Sequence, residues 1–241
     1  MAALHRLRVC SFNVGMWTNG TRPGLEADEL ADRCVAWEDQ RCRPDLLLCE
    51  EALPFLDSAQ SVAAYPTLFA RFFPYCWSPR DCAAPLTQEI LLLSRFPILR
   101  PQVLAFSGGS GRPLVTFETE ANGKGLRFFV THLSIEAHSD GIRQQDLAEL
   151  SALLHGRGRG ILTGDFNTYS VREFDRFSGL TMANHGAFGD LETWPHDSSV
   201  GVWNRCLDNI LVTPDIKMEN AFLDSADLSD HRPIFADLLI P

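Results

Sequence analysis

Short apolar runs rich in Val, Ile, Leu and Phe recur along the whole 241-residue chain, and polar turns separate them. Runs of this length between turn residues are typical of buried β-strands. The pattern predicts strands over residues 7–13, 45–50, 90–94, 103–106, 114–119, 126–132, 160–163, 206–212, 217–223 and 234–239. Because ten strands are too many for one small sheet, they indicate at least two sheets.

A few stretches of helical length interrupt the strands. Helices are predicted over residues 25–40, 58–71 and 142–154, and a short one over residues 171–177. Between the strands at 114–119 and 126–132, the dipeptide Asn122-Gly123 is a typical hairpin turn. Those two strands are therefore predicted to be antiparallel neighbours.

Helical and strand segments are mixed, and no linker rich in Pro, Gly or Ser divides the chain. We therefore expect a single domain over residues 1–241, of the α/β class, with two packed mixed sheets flanked by helices. The length is compatible with one continuous core. The Gly-rich segments 107–111 and 156–160 match neither a Walker A loop nor a dinucleotide fingerprint, so neither predicts a nucleotide site.

Net charge, apolar run length and cysteine content bear on the binding partners and cellular compartment that the sequence predicts. The formal net charge of −10 disfavours a broad, sequence-independent contact with nucleic acid, although a local basic patch would still fit. No apolar run approaches the ~20 residues that span a bilayer, so we expect no transmembrane segment. The start of the chain lacks an apolar signal segment, and the seven cysteines include no CxxC pair. Both observations favour a cytoplasmic protein with reduced thiols.

Acidic, amide and imidazole side chains cluster at the ends of the predicted strands. They are Asn13, Glu50, Glu51, His132, Asp165, Asn167, Asp208, Asp230 and His231. Loops at strand ends often carry catalytic groups, because a rigid sheet holds them in place. Taken singly, each residue has an ordinary structural interpretation, such as a turn acid or a core histidine. Their combination and order are what indicate a function.

Seven motifs stand out in the sequence, and all but the one at 93–98 contain residues of this set. They are Ser-Phe-Asn-Val at 11–14, Pro-Asp-Leu-Leu-Leu-Cys-Glu-Glu at 44–51, Leu-Ser-Arg-Phe-Pro-Ile at 93–98, Thr-His-Leu at 131–133, Leu-Thr-Gly-Asp-Phe-Asn at 162–167, Leu-Asp-Asn-Ile at 207–210 and Ser-Asp-His-Arg-Pro at 229–233. With them the chain resembles the endonuclease/exonuclease/phosphatase superfamily over about residues 9–238. Gly-Asp-Phe-Asn and Ser-Asp-His are the most specific.

The resemblance implies a four-layer α/β sandwich of the DNase I-like type with its active site at one rim. It also implies a metal-dependent enzyme that uses Mg²⁺ or Mn²⁺ to hydrolyse phosphomonoesters or phosphodiesters by attack of water on phosphorus. By the same resemblance, the metal site consists of Glu51 as the first ligand, Asn13 beside it, and Asp230, which completes the shell or acts through water. Mg²⁺ prefers oxygen ligands and often takes only one or two carboxylates.

The resemblance also assigns catalytic roles. His231 is the general base or a stabiliser of the transition state, Asp208 orients its imidazole, and Asp165 with Asn167 contacts the water and the phosphate. Attack by water needs a proton acceptor, and donors where negative charge accumulates. Either His231 or Asp165 could be that acceptor. The neighbouring Glu50 stands where the family often has Gln, and strand alternation predicts that it points away from Glu51.

Two positions bear on the substrate. His132 corresponds to a phosphate-binding histidine of sphingomyelinases, inositol polyphosphate phosphatases and pancreatic-type deoxyribonucleases, where abasic-site endonucleases have tyrosine. Gly15 stands where the abasic-site enzymes have Asp. We therefore favour a phosphoester substrate that is a small molecule or a lipid-derived headgroup. A nuclease with a local basic groove is the alternative, and an inactive binding module is disfavoured because all metal and imidazole positions are filled.

The remaining residues carry weaker predictions. Trp194 and Trp203 flank a polar loop that could border the substrate, although packing in the core explains them equally well. His138, His155, His185 and His196 belong to no motif, and we expect them at the surface or in loops. The motifs predict the reaction class but neither the substrate nor the oligomeric state.

Overall fold

The computed structural model describes residues 5–15, 27–52, 67–79, 90–121, 123–135, 140–155, 158–168, 170–195, 205–226 and 228–241. In chain order the elements are β1 (His5–Asn13), α1 (Ala27–Asp39), β2 (Leu46–Glu50), β3 (Tyr75–Trp77), β4 (Leu91–Ser94), β5 (Leu99–Leu104), β6 (Leu114–Ala121), β7 (Lys124–His132), α2 (Asp140–His155), β8 (Gly160–Asp165), a 3-10 helix (Val171–Phe177), β9 (Thr181–Met182), β10 (Asp208–Val212), β11 (Lys217–Leu223) and β12 (Ile234–Ile240).

The strands form two sheets of six, ordered β11-β12-β1-β2-β4-β3 and β5-β6-β7-β8-β10-β9. Each sheet is antiparallel except for one parallel pair, β1 with β2 in the first and β7 with β8 in the second. The helices α1 and α2 make the two crossovers, as parallel neighbours require. The predicted α/β class with two mixed sheets is confirmed.

Three apolar layers explain the four-layer stacking. Alternate residues of a strand face opposite sides of the sheet, so β1 places Val9 between the two sheets and Phe12 towards α1. Trp37 of α1 packs on that outer face, and its ring meets Phe235 edge-on at 5.4 Å. The second sheet is covered on its outer face by α2, which contributes Leu150. Burying each large side chain contributes about 1.5–3 kcal/mol.

Most predicted elements are present, and the differences have local causes. The strand predicted at 103–106 is β5 at Leu99–Leu104, an edge strand that contains Pro101 and an irregular register between Leu99 and Gln102. The strands β3 and β9 were not predicted because they are too short for an alternating pattern. The short helix at 171–177 is of the 3-10 type.

Two other sequence predictions concern local structure. The hairpin is confirmed, since Ala121 pairs with Lys124 and Gly123 has a φ of 72°. Of the helix predicted at 58–71, residues 67–69 are helical, and residues 58–66 lie outside the described residues. In the described part of the chain, no helix combines the length and apolarity needed to cross a membrane.

The two parallel pairs position the site. Parallel strands end at the same edge of a sheet, so β1 and β2 bring Asn13 and Glu50 side by side, and β7 and β8 do the same for His132 and Asp165. β1 also contacts β8 and β10 across the sandwich. Groups from both sheets therefore meet at one rim.

Candidate active site

The backbones of β7 and β8 are in close contact directly before His132 and Asp165. Gly164, which precedes Asp165 in β8, has a φ of 143°, and a Cβ there would lie 1.8 Å from the carbonyl oxygen of Thr131. Only glycine leaves room for that approach. The Gly of the Gly-Asp-Phe-Asn motif thus allows the register in which His132 pairs with Asp165.

Asp165 is the centre of the polar cluster. Its Oδ2 accepts a hydrogen bond from Asn13 Nδ2 at 2.9 Å and lies 3.8 Å from His132 Nε2 and 3.7 Å from His231 Nε2. Its Oδ1 accepts from the backbone N–H of Asn167 at 2.9 Å. The residue is buried, with 1% of its surface exposed. Burial first, and then the nearby Asp208, raises the pKa of Asp165.

His231 and Asp208 form a buried pair. His231 Nδ1 lies 2.7 Å from Asp208 Oδ2, so the imidazole turns Nε2 towards Asp165. Burial on its own would lower the pKa of His231, but Asp208, followed by Asp165 and Asp230, raises it to about 10. Asp208 is also paired with Asp165 across β10 and β8. This raised pKa favours the cationic form of the imidazole near neutral pH.

Glu51 enters the site through an unusual backbone conformation. It follows β2 with a φ of 53°, in the left-handed region that non-glycine residues rarely adopt. Its Oε1 lies 3.2 Å from Asn13 Nδ2 and 3.7 Å from His132 Nε2. Strained residues of this kind concentrate at functional sites.

The predicted orientation of Glu50 is wrong. Its side chain lies fully buried between the sheets, where Oε1 accepts from Ser11 Oγ at 3.1 Å. The left-handed turn at Glu51 breaks strand alternation, so both carboxyl groups lie on the side of the site. Burial, followed by Asp208 and Asp165, raises the pKa of Glu50 well above its usual range, which favours the neutral acid.

Asn13 connects the two carboxylates. Its Nδ2 donates to both Glu51 and Asp165, while its Oδ1 accepts from the N–H of Gly15 at 2.9 Å. The amide oxygen thus holds the loop after β1. In this arrangement the Asn13 amide bridges Glu51 and Asp165, and its predicted place in the metal site stays a prediction.

Asp230 approaches the same loop. Gly15 has a φ of 60°, and a Cβ there would lie 2.5 Å from Asp230 Oδ1 and from Ser229 Oγ. Ser229 Oγ donates to the carbonyl oxygen of Asn13 at 3.0 Å, which ties the two loops together. A glycine at position 15 therefore lets Asp230 sit beside the end of β1.

Asn167 has a structural contact as well as a position in the site. It adopts a φ of 47°, and its Nδ2 donates to the carbonyl oxygen of Leu133 at 2.9 Å. This bond joins the loop after β8 to the loop after β7.

A cleft of about 130 Å³ opens over these groups. Its described walls are Glu51, Ile135, Asp165, Asn167, Trp194, Leu207, Asp230 and His231. No lysine or arginine is among these wall residues. Trp194 borders the cleft, as one of the two sequence interpretations expected, and Trp203 lies outside the described residues. Sequence reasoning missed Ile135 and Leu207, whose only signal was their place directly beside the Thr-His-Leu and Leu-Asp-Asn-Ile motifs.

The donor set fits a hard divalent cation. Glu51 and Asp230 present carboxylates to the cleft, and oxygen ligands are the ones that Mg²⁺ and Mn²⁺ prefer. Asp165, Asp208 and His231 also cluster closely enough to hold a metal ion. The bond between His231 and Asp208 already accounts for two members of that cluster. We therefore favour the Glu51 side for the cation.

Known proteins match this chain in sequence family and in fold. Residues 10–231 match the model of the Endonuclease/Exonuclease/phosphatase family. No curated protein sequence matches significantly. The structure of D. rerio TDP2 complexed with a single-strand DNA product is similar at 16% identity and a TM-score of 0.72, covering 97% of this chain and 98% of that one.

Two further solved structures share the fold. An endonuclease/exonuclease/phosphatase from Beutenbergia cavernae matches at 17% identity and a TM-score of 0.72, covering 98% of this chain and 72% of that one. Sphingomyelinase C from Streptomyces griseocarneus matches at 16% identity and a TM-score of 0.65, covering 97% of this chain and 99% of that one.

Proposed function

The chain belongs to the Endonuclease/Exonuclease/phosphatase family and is a hydrolase of phosphoester bonds, and from this premise we propose that it acts on a small-molecule or lipid-derived phosphoester with a divalent cation at Glu51. The residues that line the cleft are the observation that supports the proposal. Asp165 and His231 open into the same small space as Glu51, and the remaining walls include the apolar Ile135 and Trp194. Such walls suit a compact phosphate that bears an apolar or neutral substituent.

Of the two candidate proton acceptors, Asp165 suits the role better. The pKa of His231 is raised to about 10, so its imidazole already holds a proton near neutral pH. Burial raises the pKa of Asp165, which makes the carboxylate a stronger base than an exposed one. Asp165 would take a proton from the attacking water as the new O–P bond forms. The P–O bond to the leaving group would break at the same time, and the leaving oxygen would take a proton from solvent.

The histidines supply donors for the phosphate. His231 is held at Nδ1 by Asp208, so Nε2–H faces the region of Asp165 where the phosphoryl oxygens would lie. A cationic donor there stabilises the negative charge that accumulates in the transition state and on the leaving group. His132 approaches the same region from β7 and would bind a phosphoryl oxygen. When bound at Glu51 and Asp230, Mg²⁺ or Mn²⁺ would polarise the phosphate as a Lewis acid.

DNA or RNA is the second candidate substrate. The similar TDP2 structure was solved with a single-strand DNA product, and it shares the fold over 97% of this chain. Long polyanions are bound mainly through Lys and Arg, whereas the net charge here is −10 and no described wall residue is basic. These charges favour the smaller substrate.

A substrate panel tests the proposal. Purified protein with Mg²⁺ or Mn²⁺ would be assayed on phosphomonoesters, bis-p-nitrophenyl phosphate, phospholipids, inositol phosphates and single- and double-stranded DNA. We expect turnover of a small or lipid phosphoester, and a loss of at least ~100-fold in kcat for Asp165→Asn. Asp237→Asn is the matched control, since that carboxylate pairs with Arg8, away from the cleft.

The outcomes separate the candidates. Cleavage of DNA alone, abolished by Asp165→Asn, would replace our proposal with a nuclease. Near-wild-type rates for a folded Asp165→Asn would remove Asp165 from the chemistry. A folded wild-type protein without metal-stimulated turnover of any panel member would contradict the proposed substrate class.

A cytosolic location belongs to the same proposal. None of the six cysteines in the described segments forms a disulfide, and Cys82 lies outside those segments. Reduced thiols are typical of that compartment.

A further inference from the structure

His185, Asp190 and Cys206 bring three metal-ligating side chains together outside the catalytic cleft. One ligand atom of each lies within 4.8 Å of the other two. His185 and Asp190 follow β9, and Cys206 lies just before β10. His185 does lie in a loop, as predicted, but its side chain is only 5% exposed. None of the three belongs to the proposed catalytic set.

The hydrogen-bond partners of the His185 ring resemble those of histidines that bind metal ions. Its Nδ1 lies 3.0 Å from Asp190 Oδ1, and its Nε2 lies 3.3 Å from the backbone carbonyl oxygen of Cys206. A histidine that binds a metal through one nitrogen usually donates its other N–H to a carbonyl or carboxylate. Here the carbonyl would take Nε2–H and leave Nδ1 beside Asp190 as the ligand. The ring also packs against Phe174, with centroids 5.4 Å apart.

The electrostatic surroundings would attract a cation. Burial, followed by the charges of Asp190 and Glu192, raises the pKa of the Cys206 thiol to about 12. These negative groups lie near the sulfur and would favour a bound positive ion. A metal that binds there would replace the thiol proton, which would pass to solvent.

We propose that His185, Asp190 and Cys206 form a second metal site, for Zn²⁺. A thiolate, an imidazole and a carboxylate are ligands that zinc takes together, whereas the oxygen donors Glu51 and Asp230 suit Mg²⁺. At zinc–ligand distances of about 2.0–2.3 Å, tetrahedral ligand atoms lie roughly 3.5 Å apart. The 72%-exposed side chain of Asp190 can make the small rotation required.

Access and position support this site. A surface cavity of about 350 Å³ is bordered by both His185 and Asp190, which gives an ion a route in and leaves room for a water ligand. Cys206 is followed directly by Leu207, a wall of the catalytic cleft, and then by Asp208. The second site therefore adjoins the catalytic groups but shares no ligand with them.

Cobalt substitution provides a specific test. Metal-free protein would be titrated with Co²⁺, followed by Zn²⁺, in excess Mg²⁺, with absorbance recorded in the near ultraviolet. A thiolate–Co²⁺ charge-transfer band would arise from Cys206 but not from the described walls of the catalytic cleft, which include no cysteine. We expect the band in the wild type and in Glu51→Gln, and its displacement by Zn²⁺. The readout does not depend on activity, so failure of the proposed substrate class would leave it unaffected.

Variants decide the assignment. Cys206→Ser should abolish the band, and Asp190→Asn should weaken Co²⁺ binding at least ~10-fold. Cys42→Ser and His155→Ala are the controls, because both residues lie elsewhere, and they should keep the band. No band in the wild type, or a band that persists in Cys206→Ser, would overturn the site. If Cys206→Ser does not fold, unchanged Co²⁺ affinity in the exposed variant Asp190→Asn would overturn it equally.

Discussion

Asp208→Asn isolates the electrostatic role of the buried carboxylate. The substitution preserves the size of the side chain and removes one negative charge 2.7 Å from His231 Nδ1. Burial lowers the pKa of His231, and Asp208 is the largest influence that raises it, to about 10. Without that charge, burial should dominate, and we expect the pKa of His231 to fall into the neutral range or below.

The magnitude follows from that pKa. A rise from 6.5 to about 10 corresponds to roughly 5 kcal/mol in favour of the imidazolium, at about 1.4 kcal/mol per tenfold change. Loss of most of this free energy would leave His231 largely neutral at pH 8, so the cationic donor would be absent. We expect kcat to fall at least ~100-fold, as for other single electrostatic groups.

NMR titration of the His231 ring in metal-free protein measures the pKa directly, and kcat reports the consequence. The raised pKa also stabilises the wild-type fold, fully below about pH 6.5 and progressively less as the pH rises towards 10. Denaturant unfolding should show this decline in the wild type, and a flatter profile in Asp208→Asn. In the control variant Asp237→Asn, the pKa of His231 and kcat should equal those of the wild type. A His231 pKa that stays near 10 in Asp208→Asn would refute the reasoning.

Two further predictions concern the metal and the backbone. Glu51→Gln should raise the Mg²⁺ concentration needed for half-maximal activity, and an unchanged titration would remove Glu51 from the ligand set. Gly164→Ala should destabilise the fold by several kcal/mol in urea unfolding, because its Cβ would overlap the Thr131 carbonyl. Gly109→Ala is the control, with a positive φ of 69° but nothing within 4 Å of the added Cβ. Equal losses of stability in the two glycine variants would show that the contact with Thr131 is unimportant.

The sequence predicted much of the sheet framework because strand formation follows local patterns. Alternating and continuous apolar runs report burial of a segment on one or both faces. They predicted all of the longer strands and the hairpin at Gly123. They could not predict β3 and β9, whose few residues carry no pattern, or the shift of β5 around Pro101.

The motifs predicted which residues would gather, and the structure brings them together. Asn13 and Asp165 are 152 positions apart in the chain yet share a hydrogen bond. Their meeting depends on where the parallel pairs end and on how the two sheets pack. The distances around Asp165 were therefore decided by tertiary structure, and our proposal that it accepts the proton depends on its burial and on the raised pKa of His231.

Other features had no sequence signal strong enough to read. Strand alternation predicted that Glu50 points away from Glu51, but the left-handed conformation of Glu51 reversed that expectation. The grouping of His185 with Asp190 and Cys206 depends on a loop folding back beside β10. Local periodicity thus predicted the α/β class from the sequence by itself, and the resemblance carried by the ordered motifs implied a hydrolase of phosphoesters. Tertiary structure alone decided orientations, cleft walls and the second cluster, because these depend on contacts between residues distant in the chain.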